Sequence, residues 1–318
     1  MRKMIVTGAN GFLGKYLCHW FDNLGWEVVG LSRNGGVAGV AKDVRWNGRT
    51  LGDWAGAFDG AEVVVNLAGK SVNCRYGRKN KAMIFQSRLE STAVIGEAIR
   101  QCQIPPRLWL NSSTATIYRH ALDRPQDEEL GELGEGFSVE VAKAWEKALR
   151  ESDVPESVKK VALRTAIVLG NEPGSVFEYL RKFAALGLGG KMGNGRQKMS
   201  WIHVDDFCRA IEWMIGRDEL QDFYNLCAPN PTDNAGCMAG FRKIAGRGFG
   251  LPATKWMLEI GTFLMRSETE LVLKSRWVLP KRLEDEGFEF KWRYFEKALE
   301  HLEGRPGPAS SKSGIVSR

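Results

Sequence analysis

The sequence predicts an α/β fold, in which a doubly wound parallel sheet carries a smaller, mainly helical C-terminal region. A short apolar strand at residues 4–7 runs into Gly8, Gly11 and Gly14, and a helical pattern follows at once. A second strand comes directly after that helix, and a later buried strand opens into a run of hydroxyl side chains. This order is typical of a Rossmann-type dinucleotide-binding unit with its ligand at the carboxyl ends of the strands.

The composition is that of a soluble protein with one large domain or two closely packed ones. The chain has 318 residues, of which 43% are hydrophobic and 26% are charged. No apolar run approaches the roughly 20 residues that span a bilayer, so we expect no membrane partner. The first strand begins at once, which leaves no room for a leader. The six cysteines are scattered without a Cys-x-x-Cys pair, which predicts reduced thiols in a cytoplasmic protein and no metal.

The net charge of +7 raises the question of a nucleic-acid partner. The basic residues are spread along the chain, and their densest cluster, at residues 75–81, lies close to the predicted dinucleotide site. The sequence carries no zinc-finger, helix-turn-helix or RNA-binding signature. We therefore expect no nucleic-acid partner, because an anionic small ligand and ordinary surface charge account for the balance.

The first strand–helix turn suits a pyrophosphate group. Glycine has no Cβ and tolerates positive φ, so Gly8, Gly11 and Gly14 allow a sharp turn and a close approach to a bulky anion. Apolar residues between Leu13 and Leu24 recur with the 3.6-residue period of a helix packed on a sheet. The free N–H groups at the start of this helix favour negative charge.

The residues after the second strand, 27–31, indicate which dinucleotide is bound. A carboxylate at this point of a βαβ unit binds the ribose 2′-hydroxyl of NAD. The chain has Ser32 and Arg33 instead. A hydroxyl and a guanidinium suit a 2′-phosphate, which predicts NADP(H) as the cofactor.

The remaining elements extend the predicted sheet. A third strand at 61–66 ends in a turn of small residues, Leu67, Ala68 and Gly69, that lets a flat cofactor surface lie close to the backbone. Further predicted elements are a helix at 81–102, a strand at 108–112, a helix at 139–150, a strand at 161–164 and a mainly helical region at 234–301. We predict a cofactor domain at 1–170 plus about 200–228, a substrate domain at 171–199 and 229–302, and a disordered tail at 303–318.

Several segments together resemble the extended short-chain dehydrogenase/reductase superfamily, of the NAD(P)-dependent epimerase/dehydratase type. The matching segments are 7–14, 66–69, 112–118 and 201–206. More narrowly, the chain resembles the YfcH-like epimerase-family subgroup, some of whose members are labelled cell division inhibitors. The marks of that subgroup are 87–92, 145–146, Arg164 with 168–170, and 193–197 before 200–203. A C-terminal run at 278–283, with 287–288 and 298–299, matches its own C-terminal domain. The resemblance is collinear over about residues 3–302.

The resemblance implies a set of cofactor-binding residues, with a small-molecule substrate closed over by the C-terminal region and a homodimer as one possible assembly. Ser32 and Arg33 would bind the 2′-phosphate, and Arg88 would reach the cofactor from the long helix. The full predicted set is Gly8, Asn10, Gly11, Phe12, Leu13, Gly14, Ser32, Arg33, Leu67, Ala68, Gly69, Arg88, Ser112, Lys143 and Val168.

The catalytic centre departs from the superfamily pattern. The superfamily uses a serine or threonine together with Tyr-x-x-x-Lys, whose tyrosine exchanges a proton with the substrate. The resemblance places Thr114 at the hydroxyl position and Lys143 at the lysine position, mainly as a ribose ligand. Val139 stands where the tyrosine belongs, and valine has no proton to give.

Four other residues are candidates for the missing acid/base. Tyr118 is nearest in sequence to the hydroxyl position, although it also suits buried packing, and it completes our catalytic set with Thr114 and Lys143. Glu140 neighbours the missing position but lies about 100° around the helix from it. Tyr76 can overhang the cleft from a loop. His203 lies in a Trp-Ile-His-Val-Asp-Asp segment that is usually structural in the superfamily.

Two functions therefore stay open at this stage. One is an NADP(H)-dependent reductase or epimerase acting on a small polar substrate, such as a nucleotide sugar or another carbonyl compound. The other is an NADP(H)-binding sensor or regulator without turnover that engages a protein partner, with a link to cell division.

Overall fold

A parallel sheet forms the centre of the protein, which a computed structural model describes over residues 1–252 and 274–304. The sheet contains seven strands: β1 Lys3–Thr7, β2 Glu27–Ser32, β3 Lys42–Arg45, β4 Val63–Asn66, β5 Leu108–Thr114, β6 Lys159–Thr165 and β10 Phe223–Leu226. They pair in the order β10-β6-β5-β4-β1-β2-β3, and every pairing is parallel. The predicted doubly wound α/β fold is confirmed.

Helices cover both faces of this sheet and build the C-terminal region. Their bounds are α1 Phe12–Asn23, α2 Arg78–Arg100, α3 Phe137–Arg150, α4 Val176–Ala185, α5 Val204–Ile215, α6 Asn234–Ile244, α7 Lys281–Asp285 and α8 Phe295–Gly304. Two small two-stranded sheets complete the fold, from β7 Ile167–Leu169 with β9 Trp201–His203, and β8 Lys198–Met199 with β11 Thr232–Asp233. No helix within the described ranges combines the length and apolar character that crossing a membrane requires.

Alternating side chains of the strands feed two separate cores. Met4 and Val6 of β1 lie in one core with residues of α1 and α5, such as Leu17 and Phe207. Ile5, between them in sequence, lies in the second core with residues of α2 and α3. Buried on both faces, these strands are nearly continuous apolar runs, as expected for a central parallel sheet.

A third core belongs to the C-terminal region. The ring of Phe241 of α6 packs between two other phenylalanine rings. Its centroid lies 5.7 Å from that of Phe177 of α4 and 6.1 Å from that of Phe295 of α8. Trp201 of β9 joins them, 5.3 Å from the ring of Phe295. The helical C-terminal region is therefore confirmed, while the exact domain bounds stay a prediction. Of the predicted disordered tail, residues 305–318 lie outside the described residues, and residues 303 and 304 end α8.

Strands β3 and β10 of the sheet were not predicted from the sequence, and β3 is the one that borders the site. Its four residues include a single apolar side chain, Val44, and three of the four are exposed. It lies at the edge of the sheet, where Ser32 of β2 pairs with Arg45 of β3. An edge strand needs no apolar alternation, so its sequence resembles a loop.

The buried carboxylate of Glu128 contacts both the sheet, at β10, and the start of α7 in the C-terminal region. Glu128 accepts a hydrogen bond from the backbone N–H of Asn225 at 2.8 Å and faces the N–H of Arg282, at the start of α7, at 3.4 Å. Burial raises the pKa of Glu128 to about 7, although these backbone donors oppose the shift.

This shift predicts a pH dependence of stability. Between the ordinary glutamate pKa and about 7, the folded protein holds a proton on Glu128 that the unfolded chain has lost. The free energy of unfolding from this group therefore falls as pH rises through that window, by on the order of 3 kcal/mol. Urea unfolding between pH 4.5 and 7.5 tests this, with Glu128→Gln as the comparison. The free energy of unfolding should fall more steeply with pH for the wild type than for Glu128→Gln. The same pH dependence in both proteins would contradict the prediction.

Candidate functional site

A cavity of about 340 Å³ lies at the carboxyl ends of the central strands. It sits where the strand order reverses between β1 and β4, which is the point where open α/β sheets bind ligands. Eight residues of the predicted cofactor set line it: Gly8, Asn10, Gly11, Ser32, Arg33, Leu67, Ala68 and Gly69. The structure thus brings the glycine turn, the end of β2 and the end of β4 into one site.

The glycine turn packs so tightly that side chains are excluded from it. Gly8 has φ of +68°, and a Cβ there would lie 2.8 Å from the carbonyl oxygen of Leu67. A Cβ on Gly14 would lie 2.3 Å from the carbonyl oxygen of Gly8. The N–H of Gly11 donates to that same oxygen at 2.8 Å and closes the turn. Glycine is therefore required here for backbone packing as well as for approach of a ligand.

Helix α1 begins at this turn with an end that favours an anion. Its N-cap residue, Gly11, provides no side-chain cap, and its first turn contains no acidic residue. The N–H groups of the first turn and the positive end of the helix dipole are thus left without a negatively charged partner from their own helix. A cradle that excludes side chains, followed by such a helix end, fits a dinucleotide pyrophosphate.

The loop after β2 forms the second wall of the cavity. The amide of Asn10 donates to the hydroxyl of Ser32 at 3.1 Å and to the carbonyl of Gly35 at 2.7 Å, which joins the glycine turn to this loop. Arg33 lines the cavity with an exposed side chain and forms no ion pair or hydrogen bond within residues 1–252 and 274–304. Its guanidinium is available to an anionic group.

Sequence reasoning missed the part of the site that follows β3. Trp46 and Arg49 line the cavity, and the N–H of Trp46 donates to the carbonyl of Ser32 at 3.2 Å. These residues were overlooked because β3 itself carried no recognisable strand pattern. The other lining residues outside the predicted set are Asn34, Asn47, Gly48, Lys70, Ser87, Glu90 and Ser91.

A buried polar network holds the strand ends beneath the cavity. Asn66, at the end of β4, accepts from the hydroxyl of Thr7 at 2.6 Å and from the N–H of Ala68 at 3.1 Å. Its amide donates to the side chain of Asn111 at 2.7 Å. β1, β4 and β5 are thereby tied together where the site is built, and a fully satisfied network of this kind is rigid.

Arg88 supports the cavity wall from α2 without lining the cavity. Its guanidinium donates to the carbonyls of Lys70 and Ile84 at 3.1 Å each and lies 4.9 Å from the ring of Trp145. A Cβ on Gly69 would lie 3.3 Å from it. Burial lowers the pKa of Arg88 to about 10, so the side chain still carries its charge at pH 7.

The other predicted cofactor residues also lie outside the lining of this cavity. Val168 is buried in the core within β7. The ring of Phe12 lies against Gly170, since a Cβ on Gly170 would be 2.8 Å from it. The residue after β7 therefore contacts the start of α1. The remaining four are Leu13, Gly14, Ser112 and Lys143. Their cofactor roles stay predictions.

The structure does not place the predicted catalytic pair in the cavity. The hydroxyl of Thr114 accepts from the N–H of Thr116 at 3.1 Å and caps the short 3-10 helix Ala115–Ile117. Lys143 is exposed and donates to the carbonyl of Gly134 at 3.0 Å. Val139 is fully buried.

The structure encloses Tyr118, the third member of the predicted catalytic set. Its side chain is only 1% exposed, and its hydroxyl donates to Asn225 at 3.0 Å and accepts from Arg164 at 2.9 Å. Burial raises its pKa to about 12. In this arrangement the phenol does not face the cavity, and the catalytic role of Tyr118 stays a prediction that the geometry does not support.

Two of the other three candidates lie away from the cavity. Glu140 is exposed. His203 is fully buried, accepts from the N–H of Asp205 at 2.9 Å through Nδ1, and faces His301 at 3.1 Å through Nε2. The side chains of His203, Asp205 and His301 have ligand atoms within 4.8 Å of one another. Both ring nitrogens of His203 already have partners, however. His203 thus caps α5 and joins it to α8.

Tyr76 is the candidate that lies near the cavity wall. Its ring packs against Phe137, at the start of α3, with centroids 5.0 Å apart. Its phenol is close enough to Arg88 to act on the pKa of that guanidinium. Among the four candidates, Tyr76 therefore lies next to both the cavity wall and the α3 segment that carries Val139.

Comparison with known proteins identifies the family. The sequence model described as "NAD dependent epimerase/dehydratase family" matches residues 4–227, which is more than half of the chain. The chain belongs to this family. A second model, a domain of unknown function called DUF1731, matches residues 253–302. The epimerase-family resemblance predicted from the motifs, including its separate C-terminal domain, is therefore confirmed.

Individual members of the epimerase family align along nearly the whole chain. The epimerase family protein YfhF of Bacillus subtilis is 30% identical over 307 residues, covering 93% of this chain and 96% of the relative. Mouse SDR39U1 is 27% identical over 308 residues, covering 94% and 99%. The crystal structure of human SDR39U1 with NADPH superimposes with a TM-score of 0.84 at 25% identity, covering 96% of this chain and 100% of that chain.

Proposed function

We propose that this epimerase-family protein is a cytoplasmic NADP(H)-binding enzyme of the reductase or epimerase type that acts on a small polar substrate. The observation that carries the proposal is Arg33, which lines the cavity beside Ser32 without a partner among the described residues. An acidic residue at this point would repel a 2′-phosphate, whereas a free guanidinium attracts it. The NADPH in the human SDR39U1 crystal supports the same choice.

Each wall of the cavity has a defined task in this proposal. The turn at Gly8 and the start of α1 would hold the pyrophosphate, while Ser32 and Arg33 would hold the phosphorylated ribose. The cofactor supplies hydride transfer. Leu67 and Ala68 would orient it along the end of β4, and Arg88 supports the turn between them and α2.

We propose Tyr76 as the acid/base of this enzyme, because its phenol lies beside the Arg88 guanidinium and the cavity wall. Its hydroxyl is enclosed in this structure, so the loop that carries it would have to move before the hydroxyl could meet a substrate. Arg88 would then supply the positive charge that a lysine supplies in the superfamily pattern, which Val139 interrupts. The substrate class that suits such a pair is a carbonyl or secondary alcohol, including a nucleotide sugar.

Arg33→Glu is expected to weaken NADPH binding at least about tenfold, because a charge-assisted hydrogen bond contributes roughly 1.5–3 kcal/mol. The affinity for NADH should change little, because NADH has no 2′-phosphate. Fluorescence titration with both dinucleotides measures the difference. Arg150→Glu is the matched control, since Arg150 is exposed at the end of α3 and does not line the cavity. Equal losses for both dinucleotides would overturn the 2′-phosphate assignment.

A sensor or regulator without turnover is the second candidate function. Two observations favour it, since Val139 is buried and Lys143 is occupied with a backbone carbonyl. A panel of carbonyl compounds and nucleotide sugars separates the two functions, with NADPH oxidation followed at 340 nm on wild-type protein and on Tyr76→Phe. Turnover that Tyr76→Phe abolishes supports the enzyme. NADPH binding without turnover across the panel supports the sensor.

A further inference from the structure

An ion pair forms part of the cavity lining that the sequence did not predict. Arg49, from the loop after β3, and Glu90, from α2, both line the cavity, and the Arg49 Nε lies 2.9 Å from a carboxylate oxygen of Glu90. The Arg49 side chain is 62% exposed and that of Glu90 is 36% exposed. Neither residue belongs to the cofactor set predicted from the sequence.

The sheet places Arg49 on the same side of the site as Arg33. β2 and β3 end side by side, with Ser32 paired to Arg45 and the N–H of Trp46 donating to the carbonyl of Ser32 at 3.2 Å. The residues that follow each strand therefore emerge next to one another. Arg33 and Arg49 both line the cavity from these two neighbouring loops.

The charge of a ribose 2′-phosphate is larger than the charge that Arg33 alone can balance. A ribose 2′-phosphate carries more than one negative charge near pH 7, and an exposed Arg33 offsets only part of it. Arg49 is a further cation in the cavity lining, on the loop next to that of Arg33, and in the structure it is paired with Glu90. A bound 2′-phosphate would compete with Glu90 for the same guanidinium.

We propose that Arg49 is a second 2′-phosphate-binding residue and that Glu90, by pairing with it, limits the preference of the protein for NADPH over NADH. This inference rests on the proposed NADP(H) function and adds a specificity element to it. The exchange of partners is feasible because an exposed ion pair is weak and is easily replaced by a phosphate with more charge. Glu90 opposes binding since it adds negative charge to the cavity and occupies Arg49.

The first test is removal of the cation. Arg49→Met should raise the Kd for NADPH about tenfold, as expected for one charge-assisted contact, and should change the Kd for NADH by less than about twofold. Arg150→Met removes an exposed arginine away from the cavity and controls for net charge. The inference is overturned if Arg49→Met shifts the ratio of the two Kd values no more than Arg150→Met does.

The second test is removal of the competing carboxylate. Glu90→Gln should lower the Kd for NADPH about threefold and that for NADH less, with Glu97→Gln, on an exposed face of α2, as the control. In the Arg49→Met background most of this gain should disappear, because Glu90 acts through Arg49. A Glu90→Gln protein that prefers NADPH less than wild type does would overturn the role of Glu90.

Both tests use isothermal titration of the full chain, so they do not depend on turnover. If wild-type protein binds neither dinucleotide, the proposed function itself fails. If wild type prefers NADPH and Arg33→Glu abolishes the preference while Arg49→Met leaves it intact, the proposed function stands and only the role of Arg49 fails.

Discussion

Replacing Arg164 with methionine is expected to lower the free energy of unfolding by about 3–5 kcal/mol. Arg164 of β6 and Glu146 of α3 form a bidentate ion pair with two N–O distances of 2.8 Å, and their side chains are only 8% and 11% exposed. Methionine leaves the Glu146 carboxylate buried without its cation. It also removes the donor that holds the hydroxyl of Tyr118.

Urea unfolding measures this loss, and a surface pair on the same strand provides the control. Lys159 pairs with Asp222 at 2.8 Å, but both side chains are exposed, so Lys159→Met should cost at most about 1 kcal/mol. The double variant Arg164→Met/Glu146→Leu should recover part of the loss, because it removes the orphaned carboxylate. A loss below about 1 kcal/mol for Arg164→Met would contradict the prediction.

The same ion pair shows why the burial of Tyr118 could not be predicted from the sequence. That residue follows the hydroxyl-rich end of β5, where ligand-binding side chains are expected, and local sequence supports a catalytic role. Its burial depends on Arg164 and on Asn225, which is 107 residues away in the chain. Long-range partners of this kind leave no local pattern, so the position of the phenol could only be seen in the structure.

The fold itself could be predicted because its signals are local. The glycine turn after β1 and the apolar runs of β1, β2, β4 and β5 follow from backbone geometry and burial on both faces. β3 was not predicted because an edge strand is exposed and needs no apolar repeat. Its omission then hid Arg49, whose place in the cavity depends on how β3 pairs with β2.

The candidate site was predicted well where backbone alone builds it and poorly where side chains meet from distant segments. Gly8, Gly11 and Arg33 line the cavity as the βαβ pattern implied. Arg88 lies behind the wall, since carbonyls of Lys70 and Ile84 hold its guanidinium there. Which group faces a substrate depends on the packing of loops against α3, which periodicity does not encode.

Gly14→Ala is expected to lower the free energy of unfolding by about 3 kcal/mol and to weaken NADPH binding by at least about tenfold. Gly14 lies inside α1, where alanine is intrinsically better than glycine by about 1 kcal/mol, so propensity alone predicts a gain. The structure predicts the reverse. The new Cβ would lie 2.3 Å from the carbonyl oxygen of Gly8 and 2.7 Å from the Cα of Ala9, and neither backbone atom can move alone.

The start of α1 must therefore separate from the glycine turn, and this displaces the N–H groups proposed to hold the pyrophosphate. Urea unfolding and NADPH titration on the same preparations measure both effects. Gly56→Ala is the control, because that glycine lies in the short 3-10 helix Asp53–Phe58 with open space where its Cβ would be. A Gly14→Ala protein as stable as Gly56→Ala, with wild-type affinity for NADPH, would show that α1 and the turn are not packed as described. Loss of stability together with retained affinity would separate the packing role of Gly14 from cofactor binding.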